Sequence, residues 1–86
     1  MKILFQKSFE KRYKSLPDKI KTKIKEKNIL FEKDPFDASL NNHALHGKYM
    51  GYRSIDIIGD ILAIYKFLNK DMILFVDIGT HSKLYK

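Results

Sequence analysis

Three histidines, His43, His46 and His81, are the residues of this chain best suited to proton transfer. An imidazole can donate or accept a proton at neutral pH. RNA supplies its own nucleophile, the 2′-hydroxyl, and its cleavage needs a base, an acid and groups that stabilise charge on the phosphate. The histidines therefore suggest a metal-free ribonuclease site, and the alternative is an ordinary surface position for each of them.

Three further residues supply the other groups that such a reaction needs. Asp60 provides a carboxylate at a predicted turn, and Lys48 provides a cation for the phosphate. Tyr85 provides an aromatic ring that can stack on a splayed base. A turn aspartate and a tail tyrosine are also common structural residues, so these residue types alone leave the ribonuclease hypothesis open.

The spacing of the histidines argues against a metal site. His43 and His46 are three residues apart, so on a regular strand their side chains point to opposite faces. His81 or Asp60 could add a third ligand, but the usual spacing of zinc ligands is absent and the chain has no cysteine. We predict that the protein uses neither a metal nor another cofactor.

Arg53 has two interpretations. Alternation along a predicted strand at residues 52–58 places Arg53 on a face with aliphatic residues, whereas the opposite face carries Tyr52, Ser54 and Asp56. In the structural interpretation its guanidinium pairs with an acid such as Asp77 or with backbone carbonyls. In the functional interpretation it clamps a phosphate. The spacing favours the structural one.

The hydrophobic pattern of the first third predicts two helices. Phe5, Phe9, Tyr13 and Leu16 recur at helical spacing. A second helix is predicted from about Pro17 to Lys33, and its apolar face carries Ile20, Ile24 and Phe31.

From residue 43 the pattern becomes that of strands, predicted at residues 43–48, 52–58, 61–68 and 72–78. Short connections imply antiparallel neighbours, and the last two strands are predicted to be central because they are apolar on both faces. We predict a single α+β domain over residues 1–86, with two N-terminal helices packed on a four-stranded antiparallel sheet. A short extra strand at residues 2–5 is possible.

The net charge of +7 belongs to the N-terminal third of the chain. Residues 1–33 carry eleven lysines and arginines against four acidic residues, and the remaining residues carry six of each. Such a field attracts a polyanion or an acidic protein, and a solvated lysine-rich helix face is the alternative. With no signal peptide and no apolar run long enough for a membrane span, we predict a cytoplasmic protein that does not engage a membrane.

An ordered set of motifs resembles the RelE toxin superfamily, and its YafQ-like branch most closely. The motifs are His43-x-Leu45-x-Gly47, Gly51-Tyr52-Arg53, Asp60-x-x-x-Ile64-Tyr65 and Gly79-Thr80-His81-Ser82-x-Leu84-Tyr85. The resemblance spans nearly the whole chain. It implies a type II toxin–antitoxin toxin with a microbial-ribonuclease-like fold, which cuts mRNA at the ribosomal A site without metal and is inhibited by a cognate antitoxin.

Carried over by position, the resemblance implies that His43, Asp60, His81 and Tyr85 are catalytic. One departure is Asp56, which stands where the branch has a further histidine, and a free carboxylate is a poor base at neutral pH. We therefore expect His81 to be the general acid and His46 or His43 the base. Asp60 would orient a histidine, and the residues expected near RNA or its phosphate are Lys48, Arg53 and Asp56.

Two other functions compete with the ribonuclease. A non-enzymatic toxin of the same fold, like the ParE gyrase poisons, would act by binding alone, and it would have no need of proton-transfer groups. A DNA-binding regulator would use the lysine-rich helices.

Overall fold

The computed structural model describes residues 1–85, in which five strands and three helices follow one another. In chain order they are β1 (Lys2–Phe5), α1 (Lys7–Lys14), α2 (Asp18–Lys33), β2 (His43–Ala44), β3 (Arg53–Ile58), β4 (Ile61–Asn69), β5 (Met72–Thr80) and α3 (His81–Leu84). Two 3₁₀ turns, Ala38–Leu40 and Gly47–Tyr49, flank β2. No helix among these residues is long and apolar enough to cross a membrane.

The strands form one five-stranded sheet in the order β1-β5-β4-β3-β2. β1 pairs with β5 in parallel, and the other neighbours are antiparallel. The predicted α+β class and the extra N-terminal strand are confirmed, and β1 makes the sheet mixed rather than purely antiparallel. The two long apolar strands, β4 and β5, lie at the centre as predicted.

α1 and α2 cover one face of the sheet and form the larger core with it. The buried residues from α2 are Ile24 and Phe31, as its helical period predicts, whereas Ile29 points to solvent. Phe31 packs edge-on against Tyr65 of β4 and Phe75 of β5, with ring centroids 5.0 and 5.4 Å away. Burying a large apolar side chain contributes about 1.5–3 kcal/mol, so this aromatic centre holds the helices on the sheet.

A smaller cluster covers the opposite face, and it supports the candidate site. Its buried members are Leu45, Leu62, Ile64, Val76 and Leu84, with Tyr49, Tyr52, Leu74 and Tyr85 packed around them. These residues come from β4, β5, α3 and the segment between β2 and β3. Both faces of the central strands are therefore covered, as predicted for strands that are apolar on both sides.

The strand predicted at residues 43–48 is wrong beyond Ala44. Gly47 has φ +64° and Gly51 has φ +90°, conformations that favour glycine, and between them the chain makes a 3₁₀ turn. The argument that His43 and His46 occupy opposite faces of one strand fails for this reason, since His46 lies outside β2. The turn instead folds Tyr49 back over the smaller cluster.

Candidate active site

Four rings form a continuous row on the sheet face opposite α1 and α2. His81 stacks on Tyr85, one helical turn later, with centroids 4.5 Å apart and planes 29° apart. Tyr85 meets Tyr49 edge-on at 5.6 Å, and Tyr49 meets Tyr52 edge-on at 6.1 Å. We call these four residues the aromatic row.

Two lysines lie over the rings of the aromatic row. The Lys48 Nζ is 5.2 Å from the centroid of Tyr49, and the Lys66 Nζ is 5.4 Å from that of Tyr52. A cation over an aromatic face is attracted to the ring electrostatically. The row therefore combines flat surfaces for bases with positive charge for phosphates.

The β5–α3 junction holds His81 beside the β3–β4 hairpin. The amide of His81 donates a hydrogen bond to the Asp60 carbonyl at 3.1 Å. The side chain of Thr80 accepts from the Lys83 amide at 3.3 Å, and Leu84 is buried under α3. The structure thus brings Asp60 and His81 together through their backbones, at one end of the aromatic row.

His43 is held by hydrogen bonds at both ring nitrogens. Its Nδ1 lies 2.8 Å from the Asn41 carbonyl oxygen, which can only accept, so Nδ1 carries a proton. In the neutral ring Nε2 is then the basic nitrogen, and it lies 3.2 Å from the hydroxyl of Ser54, a fully buried residue opposite His43 in the sheet. In this arrangement the Nε2 lone pair accepts a hydrogen bond from the Ser54 hydroxyl.

Asp56 lies on the same face as Ser54 and shares a partner with His43. Its carboxylate accepts a hydrogen bond from the side-chain amide of Asn41 at 3.2 Å. Asn41 thereby contacts both residues, one through its side chain and the other through its carbonyl. Its backbone is left-handed, with φ +47°, a conformation that asparagine tolerates better than most residues.

The structure does not place His43 directly beside His81. The register runs from His43 to Ser54, Ile64 and Asp77, so three strand spacings, about 14 Å, separate His43 from β5. His46 is joined to the aromatic row more closely, because its carbonyl accepts from the Tyr49 amide at 3.3 Å. The candidate residues therefore spread along an open face rather than converge in a cleft.

Arg53 lies on the face opposite the aromatic row. Its Nε donates to the Asn42 side chain at 2.8 Å, and its guanidinium sits 5.2 Å from the Phe36 ring centroid. Asn42 also donates to the buried Tyr65 hydroxyl at 2.6 Å. These contacts fit the structural interpretation of Arg53. Its partner is Asn42 rather than Asp77, which pairs with Arg12 at 3.1 Å.

Burial raises the pKa of the Tyr85 hydroxyl above its ordinary value. Burial also raises the pKa of Tyr49, and the charges of Asp77 and Tyr85 add to this effect while Arg12 opposes it. Both phenols consequently stay protonated at neutral pH and can donate hydrogen bonds to an anionic oxygen. Neither is suited to act as a base there.

Within residues 1–85, no group of three or more histidine, cysteine, aspartate or glutamate side chains is arranged to hold a metal ion. The site residues that sequence reasoning did not select as candidates are Asn41, Ser54, Tyr49, Tyr52, Lys66 and Arg12. The tyrosines beside Lys48 and Arg53 were a usable signal, since aromatic rings next to cations are typical of nucleic-acid surfaces. Nothing in the sequence distinguished Asn41, because its contacts with His43 and Asp56 depend on how β2 pairs with β3.

We expect Ser54→Ala to change the tautomer ratio of the His43 ring without unfolding the protein. The hydroxyl that donates to Nε2 favours the Nδ1-protonated ring by about 1 kcal/mol, so its loss should raise the share of the other tautomer about fivefold. ¹⁵N NMR of the histidine rings measures this ratio, and Ser15→Ala, an exposed position, is the control. Identical His43 spectra in the parent and the Ser54 variant would mean that this hydrogen bond does not hold the ring.

The sequence model of a family described as "Bacterial toxin of type II toxin-antitoxin system, YafQ" matches residues 1–86. No curated protein sequence matches the chain. Solved structures do resemble it. The crystal structure of YafQ from E. coli strain BL21(DE3) is 26% identical and has a TM-score of 0.82, over 98% of this chain and 97% of that chain.

Two other solved structures resemble the chain to a similar degree. The E. coli DinJ-YafQ toxin-antitoxin complex contains a chain that is 27% identical, with a TM-score of 0.80, over 98% of this chain and 96% of that one. The YoeB/ParE toxin from Agrobacterium tumefaciens has a TM-score of 0.79 over 94% of this chain and 99% of that one. At 19% identity the latter shows a shared fold alone.

Proposed function

The chain belongs to the YafQ family of bacterial type II toxin–antitoxin toxins, and we propose that it is an endoribonuclease that cuts mRNA on the ribosome. The proposed reaction is attack of a 2′-hydroxyl on the adjacent phosphate, without metal. The stack of His81 on Tyr85, at the end of a row of rings flanked by lysines, is the observation that carries this proposal.

In this mechanism His81 is the general acid. It protonates the departing 5′-oxygen, and the Asp60 carbonyl positions its backbone. The base that removes the 2′-hydroxyl proton is His43 or His46. The basic nitrogen of the neutral His43 ring is Nε2, which a substrate hydroxyl would have to reach in place of Ser54, whereas His46 lies closer along the chain to the aromatic row. A binding module has no use for such groups, which favours catalysis over binding alone.

The aromatic row and its lysines would hold the RNA strand. Stacking on an aromatic ring contributes about 1–3 kcal/mol per base, and Tyr49, Tyr52 and Tyr85 offer rings for it. Lys48 and Lys66 would contact phosphates, and the protonated Tyr85 hydroxyl would donate to a non-bridging oxygen. An open face of this kind can bind an RNA strand that a larger particle holds in place. We propose that this particle is the ribosome and that the strand is the mRNA in its A site.

The proposed inhibitor is a cognate antitoxin with an acidic segment, acting in the cytoplasm where ribosomes are found. The solved E. coli DinJ-YafQ structure is a toxin–antitoxin complex of a similar chain. The excess of lysine over residues 1–33 would attract an acidic segment, and it would equally draw the toxin towards ribosomal RNA.

Primer extension on mRNA after induction tests this function. We expect cuts within translated codons that carry a 2′,3′-cyclic phosphate or its hydrolysis product. The cuts should persist when the toxin is treated with EDTA and dialysed before it is added to purified ribosomes in Mg²⁺ buffer. A 2′-deoxy nucleotide at the cut position should abolish cleavage, because it removes the nucleophile. Intact mRNA together with gyrase-dependent DNA breaks would overturn the proposal in favour of a ParE-like poison.

A further inference from the structure

A second cationic feature lies beside the aromatic row, in a cavity of about 410 Å³. It opens between the C-terminal end of α1 and the β5–α3 junction. Its apolar floor is made by Leu16, Ile61 and Ile78. Its polar lining is Arg12, Ser15, Thr80 and Lys83. No acidic side chain is among the residues that line it.

Arg12 is anchored so that its guanidinium faces the backbone of β5. Its Nε pairs with the Asp77 carboxylate at 3.1 Å, and Asp77 also accepts the Ile78 amide at 2.9 Å. The Arg12 Nη1 lies 3.5 Å from the point that a Cβ on Gly79 would occupy. An arginine held through Nε keeps its terminal nitrogens for another partner, and the Arg12 side chain is 44% exposed.

The two hydroxyl groups of the cavity already have partners. Ser15 donates to the Arg12 carbonyl at 2.8 Å, and Thr80 accepts from the Lys83 amide at 3.3 Å. The positively charged groups that line the cavity are the Arg12 guanidinium and the Lys83 ammonium. Two cations above an apolar floor indicate an anionic ligand with one compact charged group, such as a phosphate.

The cavity is separated from the aromatic row by the width of α3. Thr80 and Lys83 are three residues apart and line the cavity, whereas His81 and Tyr85 are four residues apart and stack in the row. Lys83 is two residues from His81 on the same four-residue helix, so an RNA strand bound at His81 would need to continue across α3 to meet Lys83. An RNA strand carries a phosphate at every nucleotide, so another negatively charged phosphate lies next to the linkage that is cleaved.

We propose that this cavity binds the phosphate next to the one that is cleaved, with Arg12 and Lys83 as its cationic contacts. This inference rests on the proposed ribonuclease function and adds a subsite to it. An acidic protein segment would offer carboxylates instead, but the position one short helix away from His81 favours the RNA strand.

The test compares Lys83→Gln and Arg12→Gln with Lys70→Gln, which removes the same charge from an exposed position in the β4–β5 turn. Single-turnover cleavage is followed on ribosomes carrying a defined mRNA. We expect both cavity variants to raise the toxin concentration for half-maximal rate about fivefold or more, with little change in the saturating rate. The salt dependence of that concentration should weaken by about 0.7 in log–log slope for each lost contact.

A modified mRNA makes the comparison specific. An uncharged methylphosphonate at the linkage beside the cleaved one should weaken mRNA binding by the parent and by Lys70→Gln, and should have little further effect on binding by Lys83→Gln. Since Arg12→Gln also breaks the pair with Asp77, the Lys83 arm decides the result. Equal sensitivity to the methylphosphonate in the parent and in Lys83→Gln would overturn the inference.

Two other outcomes would also overturn it. Lys83→Gln could impair binding of an acidic antitoxin peptide while leaving cleavage at the level of Lys70→Gln, in which case the cavity recognises carboxylates. If the parent itself cuts no mRNA on ribosomes, the proposed function and this subsite fall together. If the parent cuts normally and the variants match the control, the subsite alone is wrong.

Discussion

His81→Gln is expected to lower the rate of mRNA cleavage about 10²–10⁴-fold, the usual contribution of a positioned acid or base. Glutamine keeps a polar side chain that can form hydrogen bonds, but it has no proton to release to the departing 5′-oxygen. His81 is exposed, and its amide would still donate to the Asp60 carbonyl, so the fold should persist. Expression should no longer arrest growth, and purified protein should give a native circular dichroism spectrum.

Two further variants separate chemistry from packing at this position. Ser82→Ala changes the exposed neighbour of His81 and should leave cleavage within about twofold of the parent. Tyr85→Phe keeps the ring that stacks on His81 and removes only the hydroxyl. Full toxicity in His81→Gln would rule out this imidazole as the acid, and the mechanism would then need another donor on the same face.

Phe31→Ala is expected to cost about 3–5 kcal/mol of the free energy of unfolding, because it removes a fully buried ring and leaves a cavity. The ring contacts both Tyr65 and Phe75, so the loss falls at the junction of α2 with the central strands. The free energy of unfolding of a small domain is about 5–15 kcal/mol in total. A loss of this size should therefore leave the variant partly unfolded at 37 °C. Urea unfolding followed by circular dichroism measures the change.

Ile29→Ala is the matched control on the same helix. Ile29 is 62% exposed, so truncating it should change the free energy of unfolding by about 0.5 kcal/mol or less. If the two variants were equally stable, the packing of α2 against the sheet would not be as described. Phe31→Ala should reduce toxicity in cells by lowering the folded fraction and should weaken the circular dichroism spectrum, whereas His81→Gln should abolish toxicity and keep a native spectrum.

Local patterns in the chain determined its class and much of its layout. The helical period identified Ile24 and Phe31 as core residues, because a helix turns the same face inward every three or four positions. Alternation placed Arg53 and Ile55 on the opposite face of β3 from Ser54, as the structure has them. The ordered motifs also indicated the family.

The tertiary structure alone decided which distant residues meet. The parallel pairing of β1 with β5, the short β2 and the pair of Arg12 with Asp77 join parts of the chain that no local period relates. The aromatic row likewise depends on α3 returning to the turn that carries Tyr49. A repeating pattern reports which way a side chain points within its own element, whereas its partner depends on how all the elements pack together.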